Sequence, residues 1–122
     1  MTFLDLRRLI KSFRYAGRGF WYVVKSEQNI RLHLMASLLV IILMVYFQVS
    51  LWQAVILVLV MTLVLTLELI NTIFEKMVDV LQPRIHYYVE VIKDVMAAAV
   101  LVSSIGAVII GILIFAPYFW TP

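Results

Sequence analysis

The sequence has no cysteine, which excludes disulfides and thiolate metal sites and leaves the redox compartment unread. It is short of charge. Only 14% of its residues are Asp, Glu, Lys or Arg, where a soluble domain carries about a quarter, and residues 32–67 contain none. No Walker loop is present: Gly17-Arg18-Gly19 is not followed by Lys-Ser/Thr, and no G-x-x-x-x-G-K-[ST] string occurs. Protein-kinase signature strings are missing as well. The start, Met1 to Arg8, has neither the apolar stretch nor the small-residue cleavage site of a secretion signal. Insertion into a membrane must then rest on internal segments.

What is there is apolar. The 122 residues are 65% hydrophobic, with mean hydropathy +1.05. That describes one domain, 1–122, of an integral membrane protein. A single helix over residues 32–67 would measure about 54 Å, far beyond a hydrocarbon core of about 30 Å. The stretch therefore reads as two spans, about 32–49 and 51–75, broken near Phe47-Gln48-Val49-Ser50. Ser50 followed by Gln53 fits a capping box opening the second span, with Tyr46 and Trp52 as interface anchors. That helix is expected to run on to about Asp79. Residues 76–94, with Pro83, form a charged connection. The third span, about 94–119, is expected to begin at Lys93-Asp94 and to end at Pro117 and Tyr118-Phe119-Trp120. Its Ala97-Ala98-Ala99, Ser103-Ser104, Gly106 and Gly111 are of the size that lets membrane helices pack closely.

Residues 4–28 read as an amphipathic surface helix. Arg7, Lys11, Arg14, Arg18 and Lys25 form one stripe, and Leu6, Leu9, Ile10, Phe13, Phe20 and Val24 form another, the pattern of a helix lying in the membrane interface. Trp21 and Tyr22 suit headgroup depth. Glu27 falls on the apolar side if the helix continues that far, where a carboxylate needs a partner. The basic residues lie before the first span or between the second and third (Lys76, Arg84, Lys93). By the positive-inside bias, the N-terminus is cytoplasmic and the C-terminus outside. The net charge of +3 then reflects topology, and no nucleic-acid partner is expected. The fold class is an all-α membrane protein, one surface helix plus three transmembrane helices.

All the acidic residues fall on that same cytoplasmic side, and one group stands out. Glu68, Asn71, Thr72, Glu75 and Asp79 fall within a sector of about 100° on one helix face. Ionisable groups at the end of a span are costly and usually mark a site. Glu27 and Glu75 suit a hard cation such as Mg2+, which takes one or two carboxylates plus substrate phosphates. Lys93-Asp94 at a helix start would suit a phosphate, leaving Glu68 to take a proton from an alcohol. Phosphoryl transfer is one reading. A solvated or ion-paired helix exit, in a non-catalytic membrane protein whose basic surface helix binds anionic lipid, is the other. His33 and His86 have no ligand-like spacing and read as interface or loop histidines.

The string Glu68-x-x-Asn71-Thr72-x-x-Glu75-x-x-x-Asp79, followed by Lys93-Asp94 and Ala98-Ala99-Val100-Leu101, resembles the prokaryotic diacylglycerol kinase family of small membrane lipid kinases over nearly the whole chain. Ser12-Phe13-x-Tyr15-Ala16 and Glu27-x-Asn29-x-Arg31-x-His33 look more like its undecaprenol kinases of Gram-positive bacteria. The resemblance implies an ATP- and Mg2+-dependent enzyme of the bacterial inner membrane. It phosphorylates a membrane lipid alcohol, undecaprenol before diacylglycerol, with its site facing the cytoplasm. Glu68 matches the family's catalytic base, Glu27 and Glu75 its metal carboxylates and Asn71 the amide beside them, with Asp79 in support. Lys93 and Asp94 match the pair serving the nucleotide, and Arg8, Tyr15 and His86 fall at nucleotide-contacting positions. The family also implies a homotrimer with sites shared between subunits. Residues 82–92 depart from its pattern, lacking the small residues usual before the Lys-Asp pair.

Overall fold

The computed structural model describes residues 3–81 and 87–120. Four helices follow in order: α1 Leu6–Ser26, α2 Gln28–Phe47, α3 Leu51–Leu81 and α4 Tyr87–Trp120. No strand occurs among the described residues, as a bilayer demands of an open chain whose backbone groups must bond within their own segment. The helices α2, α3 and α4 are each long and apolar enough to cross a membrane. Most of their large apolar side chains are exposed in the single chain, which suits a lipid environment.

Each break has a local cause. Asp5 caps α1, accepting a hydrogen bond from the Arg7 N–H at 3.0 Å. Between α1 and α2 only Glu27 is extended (φ −115°, ψ 120°). Arg31, one turn into α2, donates to the Val24 and Lys25 carbonyls at 3.2 and 2.9 Å. A cation thereby meets the negative end of the α1 dipole. The surface helix thus ends at Ser26 rather than at 28, and α2 begins before residue 32. At the far end of α2, Gln48 adopts the left-handed conformation (φ 50°). Its N–H donates to the Val45 carbonyl and that of Val49 to the Met44 carbonyl, the bond pair of a Schellman termination. Ser50 and Gln53 then form the expected capping box, Gln53 N–H to Ser50 Oγ at 3.3 Å and Ser50 N–H to Gln53 Oε1 at 3.1 Å.

One expectation fails on α4. The helix begins at Tyr87, about two turns before Lys93-Asp94, so this pair offers no free helix N-terminus to a phosphate. Pro117 lies inside the helix, and the helix ends at Trp120 of the expected aromatic cluster. A Cβ added at Gly106 or Gly111 would meet nothing within 4 Å, so these glycines serve no close approach within the chain.

The core runs along α3, packed most extensively on α4 and then on α2. Its buried residues Leu57, Val64, Asn71 and Val78 recur at heptad spacing, the seam that faces partner helices. Glu68 and Thr72 are buried beside that seam. The α3 helix has 31 residues, about 46 Å of length against about 30 Å of hydrocarbon. With Trp52 at one interface, its other end emerges shortly after Glu68. An aromatic cluster locks the Trp52 end: the Phe47 ring lies 5.3 Å from Tyr118 and 5.0 Å from Phe119, and Tyr118 donates to Gln53 Oε1 at 2.6 Å.

Candidate active site

Where the α3 seam nears the membrane boundary it turns from apolar to polar. Glu68 is only 2% exposed, Asn71 5% and Thr72 3%. Thr72 returns its hydroxyl to the Glu68 carbonyl at 3.0 Å, which satisfies it within the helix. The Asn71 Nδ2 donates to Glu75 Oε1 at 3.4 Å, one turn on. Among the described residues, two buried acceptors have no hydrogen-bond donor, Glu68 Oε2 and Asn71 Oδ1. Leaving such atoms unmatched costs about 1–3 kcal/mol each, so both oxygens would gain from a donor or a cation placed there.

The neighbouring helix supplies the opposite wall. On α2, Asn29 and His33 are one turn apart and share a face. The Asn29 side chain lies within interaction range of Glu68, and His33 Nε2 lies 3.8 Å from Glu68 Oε2. Glu68 also lies within electrostatic reach of Glu27 and Glu75, so three carboxylates gather where α1, α2 and α3 meet. Glu27 is held by Lys76 of α3, Nζ to Oε1 3.5 Å, and the same ammonium lies 6.0 Å from the Tyr22 ring of α1. The helix does not continue to Glu27, and its carboxylate pairs with Lys76 from the break.

These donors fit a hard divalent cation. Two carboxylates and an unmatched amide oxygen are all oxygen ligands, of the number Mg2+ takes when phosphates complete its shell. No three acidic or histidine side chains among the described residues converge closely enough to hold a metal unaided.

Not every expected residue joins this group. Among the described residues, no ion pair links Lys93 or Asp94 to Glu27, Glu68 or Glu75. Lys93 is half-buried on α4, Asp94 is exposed, and Asp79 is exposed on the emerging end of α3. Tyr15 and Arg8 are exposed on α1, Arg8 3.9 Å from Asp5. His86 lies outside the described residues. Sequence reasoning passed over His33 and Lys76. The signal for His33 was present in its one-turn spacing from Asn29; nothing local marks Lys76 as the partner of Glu27.

A family model described as prokaryotic diacylglycerol kinase matches residues 14–115. The chain belongs to that family. An undecaprenol kinase of Bacillus subtilis is 36% identical over 113 residues, 93% of this chain and 92% of that protein. A diacylglycerol kinase of Synechocystis is 34% identical over 104 residues, 84% of this chain and 59% of that longer protein. No solved structure matches the chain. As a family member the protein is a multi-pass membrane lipid kinase, and its reaction is ATP-dependent phosphoryl transfer.

Proposed function

We propose that the chain transfers the γ-phosphoryl group of ATP to undecaprenol, with its site at the cytoplasmic face of a bacterial inner membrane. The observation that carries this reading is the burial of Glu68 at the end of a membrane span, beside two further carboxylates. A carboxylate at that depth can meet an alcohol held in lipid, while the emerging end of α3 can meet a nucleotide arriving from water. The preference for undecaprenol draws support from the relative of that name, which matches this chain nearly end to end. Diacylglycerol is the second reading, favoured by the name of the other relative.

The residues divide the work. Glu68 accepts the hydroxyl proton of the acceptor as its oxygen attacks the γ-phosphorus, and the leaving diphosphate carries away the bonding pair. Glu27, Glu75 and the Asn71 amide would hold Mg2+, which when bound neutralises charge on the transferring phosphate. Asn71 orients Glu75, and Lys76 releases Glu27 when a stronger cation arrives. Lys93, Asp94, Arg8, Tyr15 and His86 serve the nucleotide, with Asp79 in support. In a homotrimer, neighbouring subunits would bring these residues to the carboxylates and complete each site.

The test offers undecaprenol and diacylglycerol in parallel to the purified protein in detergent, with labelled ATP and magnesium. A higher kcat/KM for undecaprenol is expected. A preference for diacylglycerol would reassign the acceptor, and transfer to neither would favour a non-catalytic protein whose basic α1 binds anionic lipid.

A further inference from the structure

An apolar cleft of about 670 Å³ lies between α2, α3 and α4. It extends from His33 along α2 and α3 to Phe119 and Trp120, at the aromatic end of the fold. Its wall is almost wholly aliphatic and aromatic, and His33 is the one ionisable side chain among its described lining residues. The same imidazole turns Nε2 toward Glu68 at 3.8 Å. His33 thus stands between a lipid-facing cleft and a buried carboxylate.

The separation is informative. At 3.8 Å, the two groups are too far apart for a direct hydrogen bond, yet one oxygen atom can lie about 2.8 Å from both. Glu68 Oε2 is also the carboxylate oxygen with no donor. A hydroxyl in that gap would donate to Glu68 Oε2 and accept from His33 Nε2–H, completing both groups at once. A lipid alcohol whose head occupies the gap has an apolar wall of matching direction for its chain.

We infer that His33 is a positioning residue for the acceptor: it holds the lipid hydroxyl oxygen while Glu68 takes the proton. This rests on the lipid-kinase reading above. His33 forms no bond to phosphorus. Its contribution is to fix one lone pair of the attacking oxygen, which leaves the O–H aimed at Glu68 and another lone pair free for phosphorus.

The side-chain geometry supplies a sharp test. The Nε2 of glutamine reaches about as far from the backbone as that of histidine, whereas the Nδ2 of asparagine stops one methylene short. Lipid-acceptor kinetics would be measured for His33→Gln, His33→Asn and His33→Leu. His33→Leu is expected to lower kcat/KM for the lipid alcohol by about 10- to 100-fold, the cost of one lost hydrogen bond to a reacting group, with the KM for ATP unchanged. His33→Gln should recover most of the loss and His33→Asn little of it. Equal activity in Gln and Asn variants, or a loss that falls on the KM for ATP, would overturn the inference. Thermal unfolding in detergent checks each variant. If His33→Leu does not fold, the Gln-against-Asn comparison decides alone. A parent protein that phosphorylates no lipid alcohol would fail at the underlying reading, and the assignment of His33 would fall with it.

Discussion

Lys76 of α3 places its ammonium 3.5 Å from the carboxylate of Glu27, at the break between α1 and α2. This pair ties the surface helix to the membrane bundle and covers one of the carboxylates expected to hold metal. The contact is partly exposed, so it adds little to stability, and in the proposed mechanism Lys76 would hold the metal's place.

Replacing Lys76 by Met should therefore ease metal binding. The magnesium concentration for half-maximal turnover is expected to fall about two- to fivefold, since an opposing charge leaves the site, while the thermal midpoint stays nearly unchanged. A magnesium titration of turnover beside a melting curve checks both. A higher magnesium requirement would mean that Lys76 assists the site instead.

Asn71 occupies a buried seam position that an apolar residue would fill equally well in packing terms. Its amide donates to Glu75 and leaves Oδ1 unmatched. Asn71→Leu is expected to keep or raise the thermal midpoint, because an unsatisfied buried group is removed. It should weaken metal-dependent turnover by about 10- to 100-fold, as loss of an orienting partner does at metal sites. The opposite pattern, lost stability with retained turnover, would make Asn71 a structural residue.

At the other end of the bundle, the Tyr118 hydroxyl donates to Gln53, which also closes the α3 capping box. Tyr118→Phe should cost about 1 kcal/mol and Gln53→Ala about 1–2 kcal/mol of stability, the latter losing both a cap and a cross-helix bond. Both variants should leave kcat unchanged once folded, because Gln53 lies about 22 Å from Glu68 along α3. Unfolding in detergent together with turnover at low temperature separates the two effects.

Much of this was legible in the residues, and the failures have a common cause. The capping box could be read because its donors and acceptors are three residues apart. The polar face of α3 could be read because one helix carries it. The start of α4 could not. Hydropathy marks where charge-free sequence begins, near Val95, whereas a helix continues through Glu90, Lys93 and Asp94 as long as its backbone bonds hold. Pro117 sits inside the helix because a proline near a helix end removes one bond without stopping the chain from completing its last turn. His33 and Lys76 were missed because their partners lie on other helices, and pairing across helices depends on how the helices pack.

The central claim is that the buried Glu68 carboxylate is where phosphate reaches lipid. The direct measurement is transfer of labelled γ-phosphate to undecaprenol by the parent and by Glu68→Gln, each purified in detergent and matched for thermal midpoint. Steady turnover is expected of the parent and a loss of at least about 100-fold in the variant, the lower end of what a positioned general base contributes. Comparable transfer by the two proteins would contradict that claim.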